Sequence, residues 1–122
     1  MILVGGKGKR LGKITKKTPK PLVKIKDSVF LDYLLDYIQK KIKNINKIYF
    51  IAGYLGNMIK NRYKKNNNNK FKFLIERKIE GTGRAIFKFK KYFQNYDTII
   101  FNGDTLFKID FKEFINFSYK SK

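Results

Sequence analysis

A chain of 122 residues has room for one domain and one real core, and its ordinary apolar share with plentiful aromatics argues against global disorder. No cysteine and no histidine occur, which excludes disulfides, thiolate or imidazole metal sites and histidine acid–base catalysis, and leaves hard cations on oxygen ligands as the available metal chemistry. The net charge of +20 points to an anionic partner: nucleic acid, a membrane surface or a phosphate-rich ligand.

In chain order, residues 1–4 form an apolar run ending at Gly5 and Gly6, which predicts a buried strand. Residues 5–28, rich in Gly, Lys, Thr and Pro, read as an ordered loop. Leu31, Leu34, Leu35, Ile38 and Ile42 have the spacing of an amphipathic helix over 29–43. Residues 47–52 read as a second strand closed by Gly53, and Leu55, Met58, Ile59 and Tyr63 mark a second helix. Residues 64–70, with Asn66 through Asn69, read as an exposed loop. Residues 71–75 predict a third strand. Gly81-Thr82-Gly83 precedes a third helix carrying Ile86, Phe89 and Phe93. Residues 97–102 predict a fourth strand ending at Gly103-Asp104, and Asp110 with Glu113 three residues on has the form of a capping box opening a last helix.

Strand and helix alternate four times. That pattern predicts an α/β domain with a parallel sheet covered by helices, its ligand-binding loops gathered at the carboxyl ends of the strands. No apolar run reaches transmembrane length, and Met1 leads into Ile2-Leu3-Val4 without a secretory pattern. A cytoplasmic chain with no membrane partner is expected.

Two segments carry chemistry. In Gly5-Gly6-Lys7-Gly8-Lys9-Arg10-Leu11, the glycines let backbone N–H groups approach a ligand without Cβ obstruction, and Arg10 adds a fork suited to phosphate. Alone, such a loop is equally a tight turn, and it matches neither the Walker nor the dinucleotide fingerprint. In Thr18-Pro19-Lys20-Pro21-Leu22, two prolines fix the backbone around Lys20. Alone, that is a stiff loop; it is also a way to hold a cation in place. The basic residues are nearly all Lys, with Arg only at Arg10, Arg62, Arg77 and Arg84, spread along the chain with no block of five. Nucleic-acid readers concentrate charge and use Arg for bidentate contacts, so nucleic acid is the disfavoured partner. Lys, Asn, Ile, Phe and Tyr, all with A/T-rich codons, account for much of the composition.

Together, Leu3-Val4-Gly5-Gly6-Lys7-Gly8-Lys9-Arg10-Leu11 and Thr18-Pro19-Lys20-Pro21-Leu22 resemble the signature of the sugar-1-phosphate nucleotidyltransferases, L-A-G-G-x-G-T-R-L followed by T-P-K-P-L/M. Phe30-Leu31-Asp32-Tyr33-Leu34-Leu35 resembles that family's first helix after the signature. Gly81-Thr82-Gly83 resembles its L-G-T-G/A-G-A segment, and Asn102-Gly103-Asp104-Thr105 with Ile109-Asp110-Phe111 resembles its N-G-D segment and the helix start beyond. The resemblance runs over essentially the whole chain and leans toward the heptose-1-phosphate guanylyltransferase-like subgroup.

The resemblance implies a Rossmann-like three-layer sandwich of GT-A type, with strand order three, two, one, four and later strands beyond the fourth. Residues 1–122 would be the nucleotide-binding N-terminal part of a nucleotidyltransferase domain. The implied reaction is attack of a sugar 1-phosphate on the α-phosphate of a nucleoside triphosphate with release of pyrophosphate, a chemistry of positioning and electrostatics. Leu3, Gly5, Gly6, Gly8, Arg10 and Gly81 would hold the nucleotide, with Gly81 against the base. Arg10 and Lys20 would act on the reacting phosphates, and Asp104 would bind Mg²⁺. Lys9 stands where the family has threonine, and Glu80 and Arg84 flank the Gly81 segment in place of apolar and small residues.

Family members continue past the length of this chain, with a sugar-binding region and a second metal-binding aspartate. An N-terminal part or one piece of a split enzyme, with a homo-oligomer or complementary chain beside the fourth strand, is therefore expected. An inactive nucleotide-binding remnant or regulatory module, and a basic nucleic-acid-binding domain, are the alternatives.

Overall fold

The computed structural model describes residues 1–65 and 69–121; Asn66, Asn67 and Asn68, within the loop expected at 64–70, lie outside the described residues. The elements are β1 (Ile2–Leu3), a short α1 (Ile14–Lys17), β2 (Lys24–Ile25), β3 (Ser28–Val29), α2 (Phe30–Lys41), β4 (Ile48–Ala52), α3 (Gly56–Tyr63), β5 (Phe71–Ile75), α4 (Thr82–Phe89), β6 (Phe101–Asn102) and α5 (Phe111–Lys120). Four strands form one parallel sheet in the order β5-β4-β1-β6. This is the three, two, one, four order that the resemblance implied.

Period-two alternation assigns the two faces of the sheet. Ile2 and Val4 of the first strand region, with Ile48, Phe50 and Ala52 of β4, point to the face covered by α2, α3 and α5 through Leu31, Leu34, Leu35, Ile38, Ile59, Tyr63 and Phe111. Met1, Ile51 and Leu74 point to the other face, where Ala85 of α4 covers them with Ile86, Phe89 and Phe93 at the margin. The result is a three-layer sandwich. Phe50 is fully buried and stacks between Tyr63 and Phe73, at ring-centroid distances of 5.8 and 5.1 Å, with the edge of Phe71 5.2 Å away.

Asp32 ties α2 to α3. Its carboxylate accepts hydrogen bonds from Ser28, Arg62 and Tyr63. Burial pushes its pKa upward, but those donors, Arg62 first, outweigh it and hold the value at about 2.

Several boundaries depart from the expected ones. The segment 5–28 is not all loop: it contains α1, two single 3₁₀ turns and the antiparallel β2–β3 hairpin, which pairs Lys24 with Val29 and Ile25 with Ser28. Its tight turn puts Lys26 at φ 53°, and strands of two residues leave no readable periodicity. The fourth strand is only Phe101–Asn102 rather than 97–102, although the Phe101 N–H still donates to the Met1 carbonyl. α4 ends at Phe89 and a 3₁₀ turn (Lys90–Tyr92) follows, leaving Phe93 beyond the helix. Asp110 is a helix cap, as its spacing predicted: one carboxylate oxygen accepts from the N–H groups of Lys112 and Glu113 at 2.8 and 3.1 Å.

Candidate functional site

Every strand of a parallel sheet delivers its following loop to the same edge. Here that edge holds the glycine loop after β1, Glu76 after β5, and Asp104 after β6. The loops enclose a cavity of about 490 Å³ whose wall includes Leu3, Gly5, Gly6, Gly8, Arg10, Lys20, Gly81 and Asp104. All the residues singled out in the sequence thus converge on one cavity, although they span more than a hundred positions of chain.

The glycines of the first loop have different reasons to be there. Gly8 sits at φ 60°, and a Cβ on it would lie 3.0 Å from the Thr15 methyl and 3.2 Å from the Lys20 Cβ. Its place is dictated by backbone conformation and by packing together. Thr15, 3% exposed, locks the loop from below: its hydroxyl donates to the carbonyls of Gly8 (2.9 Å) and Gly12 (3.3 Å). Gly6 is the opposite case. A Cβ there would meet nothing within 4 Å, so the bare backbone faces open cavity instead of protein. Gly81 likewise has open space around it, at φ 95°, and sits at the N-terminus of α4.

Pro19 (φ −63°, ψ 141°) and Pro21 hold Lys20 at the start of a 3₁₀ turn. Its ammonium donates to an Asp104 carboxylate oxygen at 2.7 Å, both side chains about 39% exposed. This ion pair closes the cavity wall between two loops 84 residues apart. The Lys20 hydrogen bond draws the Asp104 pKa below the ordinary carboxylate value against the opposing effect of burial, and the Thr105 hydroxyl adds a donation at 3.2 Å. Asp104 is therefore ionised at neutral pH. Arg10, exposed on the same wall, has no ion-pair partner among the described residues. The Lys9 side chain lies outside what the structure describes.

Among the described residues no three acidic side chains cluster as a metal cage. The donors at Asp104 are nonetheless of the right kind for Mg²⁺, since that ion keeps waters and is commonly held by one or two carboxylates plus substrate phosphates.

Two buried polar residues at the site carry no clear mark in the sequence, Thr15 and Glu76. Thr15 gave no signal, being one threonine in a polar stretch. Glu76 follows the apolar run Phe73-Leu74-Ile75 in a chain that holds only nine acidic residues. It is 8% exposed, lines the cavity, and has a pKa raised by burial.

The sequence model of the nucleotidyl transferase family matches residues 1–122. The chain belongs to that family. It is 34% identical over 119 residues to the bifunctional protein GlmU of Methanocaldococcus jannaschii, covering 98% of this chain and 28% of that protein. It is 37% identical over 111 residues to the D-glycero-alpha-D-manno-heptose 1-phosphate guanylyltransferase of Campylobacter jejuni, covering 90% of this chain and 49% of that protein. The crystal structure of HddC from Yersinia pseudotuberculosis superposes with a TM-score of 0.82 at 36% identity, over 96% of this chain and 52% of that one; the same protein complexed with GMP-PN aligns at 0.79. The chain thus spans about a quarter to a half of the length of these relatives. No described helix is long and apolar enough to cross a membrane.

Proposed function

We propose that this chain forms the nucleotide-binding part of a sugar-phosphate nucleotidyltransferase. The observation that carries the reading is the single cavity in which the glycine loop, Arg10, Lys20, Gly81 and Asp104 meet. In the proposed reaction an oxygen of the sugar 1-phosphate attacks the α-phosphorus of a nucleoside triphosphate. The bond from the α-phosphorus to the bridging oxygen breaks, and pyrophosphate leaves with the electron pair.

The bare backbone at Gly6 approaches the phosphate chain, and Arg10 takes the departing phosphates in a forked contact. Lys20, held between its prolines, exchanges the Asp104 carboxylate for phosphate oxygens, which places a fixed cation where negative charge accumulates. Mg²⁺, held by Asp104 together with the phosphates, would supply further charge neutralisation. The sugar phosphate and the completion of the metal site belong to the whole protein.

The test is calorimetry of the 122-residue chain with GTP, ATP, CTP and UTP, with and without Mg²⁺. Binding of at least one nucleotide, strengthened by Mg²⁺, is expected. A folded sample that binds none of the four overturns the reading.

A partner surface is proposed beside β6, which pairs with β1 alone among the described strands and is flanked by Ile100, Leu106 and Phe107 at 43–46% exposure. A strand edge of this kind accepts another chain, either a second copy or a complementary chain. Light scattering across an ionic-strength series would show association as salt screens the repulsion of +20 charge. A sample that stays monomeric throughout would remove that surface.

A further inference from the structure

We infer that a second cavity, on the far side of the glycine loop, is an anion site that takes a small organic phosphate. The inference goes beyond the nucleotide-binding reading and does not depend on it.

Residues 7–17 hold six basic side chains and no acidic one. The fold divides them between two places. Arg10 lines the cavity described above. Lys7, Lys13 and Lys16 line a separate cavity of about 480 Å³, completed by Gly12, Thr15 and Tyr54. The two walls have no residue in common. Lys7 stands between Gly6 and Gly8, which line the first cavity, yet Lys7 lines only the second. Successive residues of one loop thus serve opposite sides.

The second wall carries three cations without a counter-charge. None of the three lysines has an ion-pair partner among the described residues, and no acidic residue lines the cavity. Lysines scattered over a convex surface are solvated one by one. Three around one concavity repel one another, and the concave shape focuses their combined potential. A bound anion relieves that repulsion.

The rest of the wall is held in place. The Tyr54 hydroxyl donates to the Lys16 carbonyl at 2.9 Å, and its N–H donates to the Gly5 carbonyl at 3.3 Å. The loop after β4 is thereby fastened both to α1 and to the glycine loop. Leu55, directly after Tyr54, lies at φ 53° and ψ 25°, a left-handed conformation that is costly for a bulky side chain. This strained turn sets where the Tyr54 ring stands. Thr15 separates the two cavities. Its hydroxyl donates to the Gly8 carbonyl at 2.9 Å, and its methyl lies 3.0 Å from where a Gly8 Cβ would be. Gly8 lines the first cavity and Thr15 the second, so a packed contact divides them and both can be filled at once.

Size and lining select the ligand class. A cavity of this volume falls within the range of small-molecule pockets, roughly 300–1,000 Å³, and has more room than a bare phosphate ion fills. Lysine binds phosphate as a point charge. Tyr54 adds an aromatic wall whose polar tip is already bonded, which leaves an apolar surface for a carbon skeleton. A phosphate monoester of a small sugar meets both features.

Chemical-shift mapping of the ¹⁵N-labelled 122-residue chain with ribose 5-phosphate, at about 0.15 M salt to screen diffuse attraction, tests this. The amides of Lys7, Gly12, Lys13, Lys16 and Tyr54 should shift along one saturable curve, and should do so again with GTP present at saturation. Lys13→Gln combined with Lys16→Gln should weaken the ester roughly 10-fold or more, as expected when hydrogen bonds to a charged group are lost. Lys41→Gln combined with Lys120→Gln removes the same charge from exposed positions on α2 and α5 and should leave the affinity unchanged. Inorganic phosphate should bind more weakly than the ester, and equal affinity overturns the assignment to an organic phosphate. Equal losses in the two double variants overturn the site, because net charge alone would then explain the binding. So do shifts confined to the first cavity, or ester shifts that vanish when GTP saturates. If GTP does not bind, the nucleotide-binding reading fails, and the ester titration with its two double variants decides the second site alone.

Discussion

The two ends of the cavity are built by different means. At the end proposed for the phosphates, one continuous loop supplies Gly5, Gly6, Gly8 and Arg10, and a second supplies Lys20 between prolines. At the opposite end, proposed for the base, Gly81 and Glu76 are lone residues beyond β5, set against apolar walls from β1, β4 and α4. Phosphate recognition needs a cluster of backbone N–H groups and cations in a fixed local shape, so it leaves a dense mark in sequence. Base recognition needs one correctly placed donor or acceptor on an apolar surface, and a single residue leaves almost none.

Within the phosphate end, the glycines separate shape from contact, and this gives the largest expected effect. Gly8→Ala introduces a Cβ at positive φ against Thr15 and should destabilise the fold by roughly 2–4 kcal/mol in urea unfolding. Gly6→Ala has open space and should stay within about 0.5 kcal/mol of wild type, while weakening triphosphate binding. Equal stability losses at the two positions would dissolve the distinction.

Arg10→Ala sharpens the contrast between the ends. It should weaken triphosphate binding by about 1.5–3 kcal/mol, by the same amount whichever base is attached. Unchanged affinity in calorimetry would remove Arg10 from the site, and a base-dependent loss would mean the two ends are not separate.

A smaller effect lies outside both ends, at Asp32. Its folded pKa is held at about 2 against an ordinary 3.8, so its contribution is complete above pH 3.8 and is lost as the pH falls toward 2. The contribution is up to about 2 kcal/mol. Urea unfolding at pH 5 and pH 2.5 should show a smaller drop in Asp32→Asn than in wild type. Nucleotide affinity at neutral pH should be the same in both proteins, because Asp32 serves the α2–α3 contact and not the cavity.

The same division explains how much was legible before the fold was known. Strand and helix order followed from the apolar pattern, since α2 buries one face through Leu31, Leu34, Leu35 and Ile38, and β4 is a nearly continuous apolar run buried on both sides. The Lys20–Asp104 pairing did not, because nothing local relates residues 84 positions apart; only the adjacency of β1 and β6 brings their loops together. The β2–β3 hairpin was invisible for the opposite reason: each strand has two residues, too few to carry a period. Thr15 shows its role only through burial, because a hydroxyl is ordinary on a surface and demands a partner inside.

The central claim is the proposal that one cavity takes the phosphates of a nucleotide at the glycine loop and its base toward Gly81. Chemical-shift mapping of the ¹⁵N-labelled chain during a titration with GTP and Mg²⁺ tests it most directly. The amides of Gly5, Gly6, Gly8, Lys20 and Asp104 should shift together with those of Glu76 and Gly81 along one saturable curve, while Lys41, Lys60 and Lys120 stay in place. Shifts that follow the surface lysines and leave the cavity amides unmoved would show that charge alone attracts the nucleotide, and would contradict the claim.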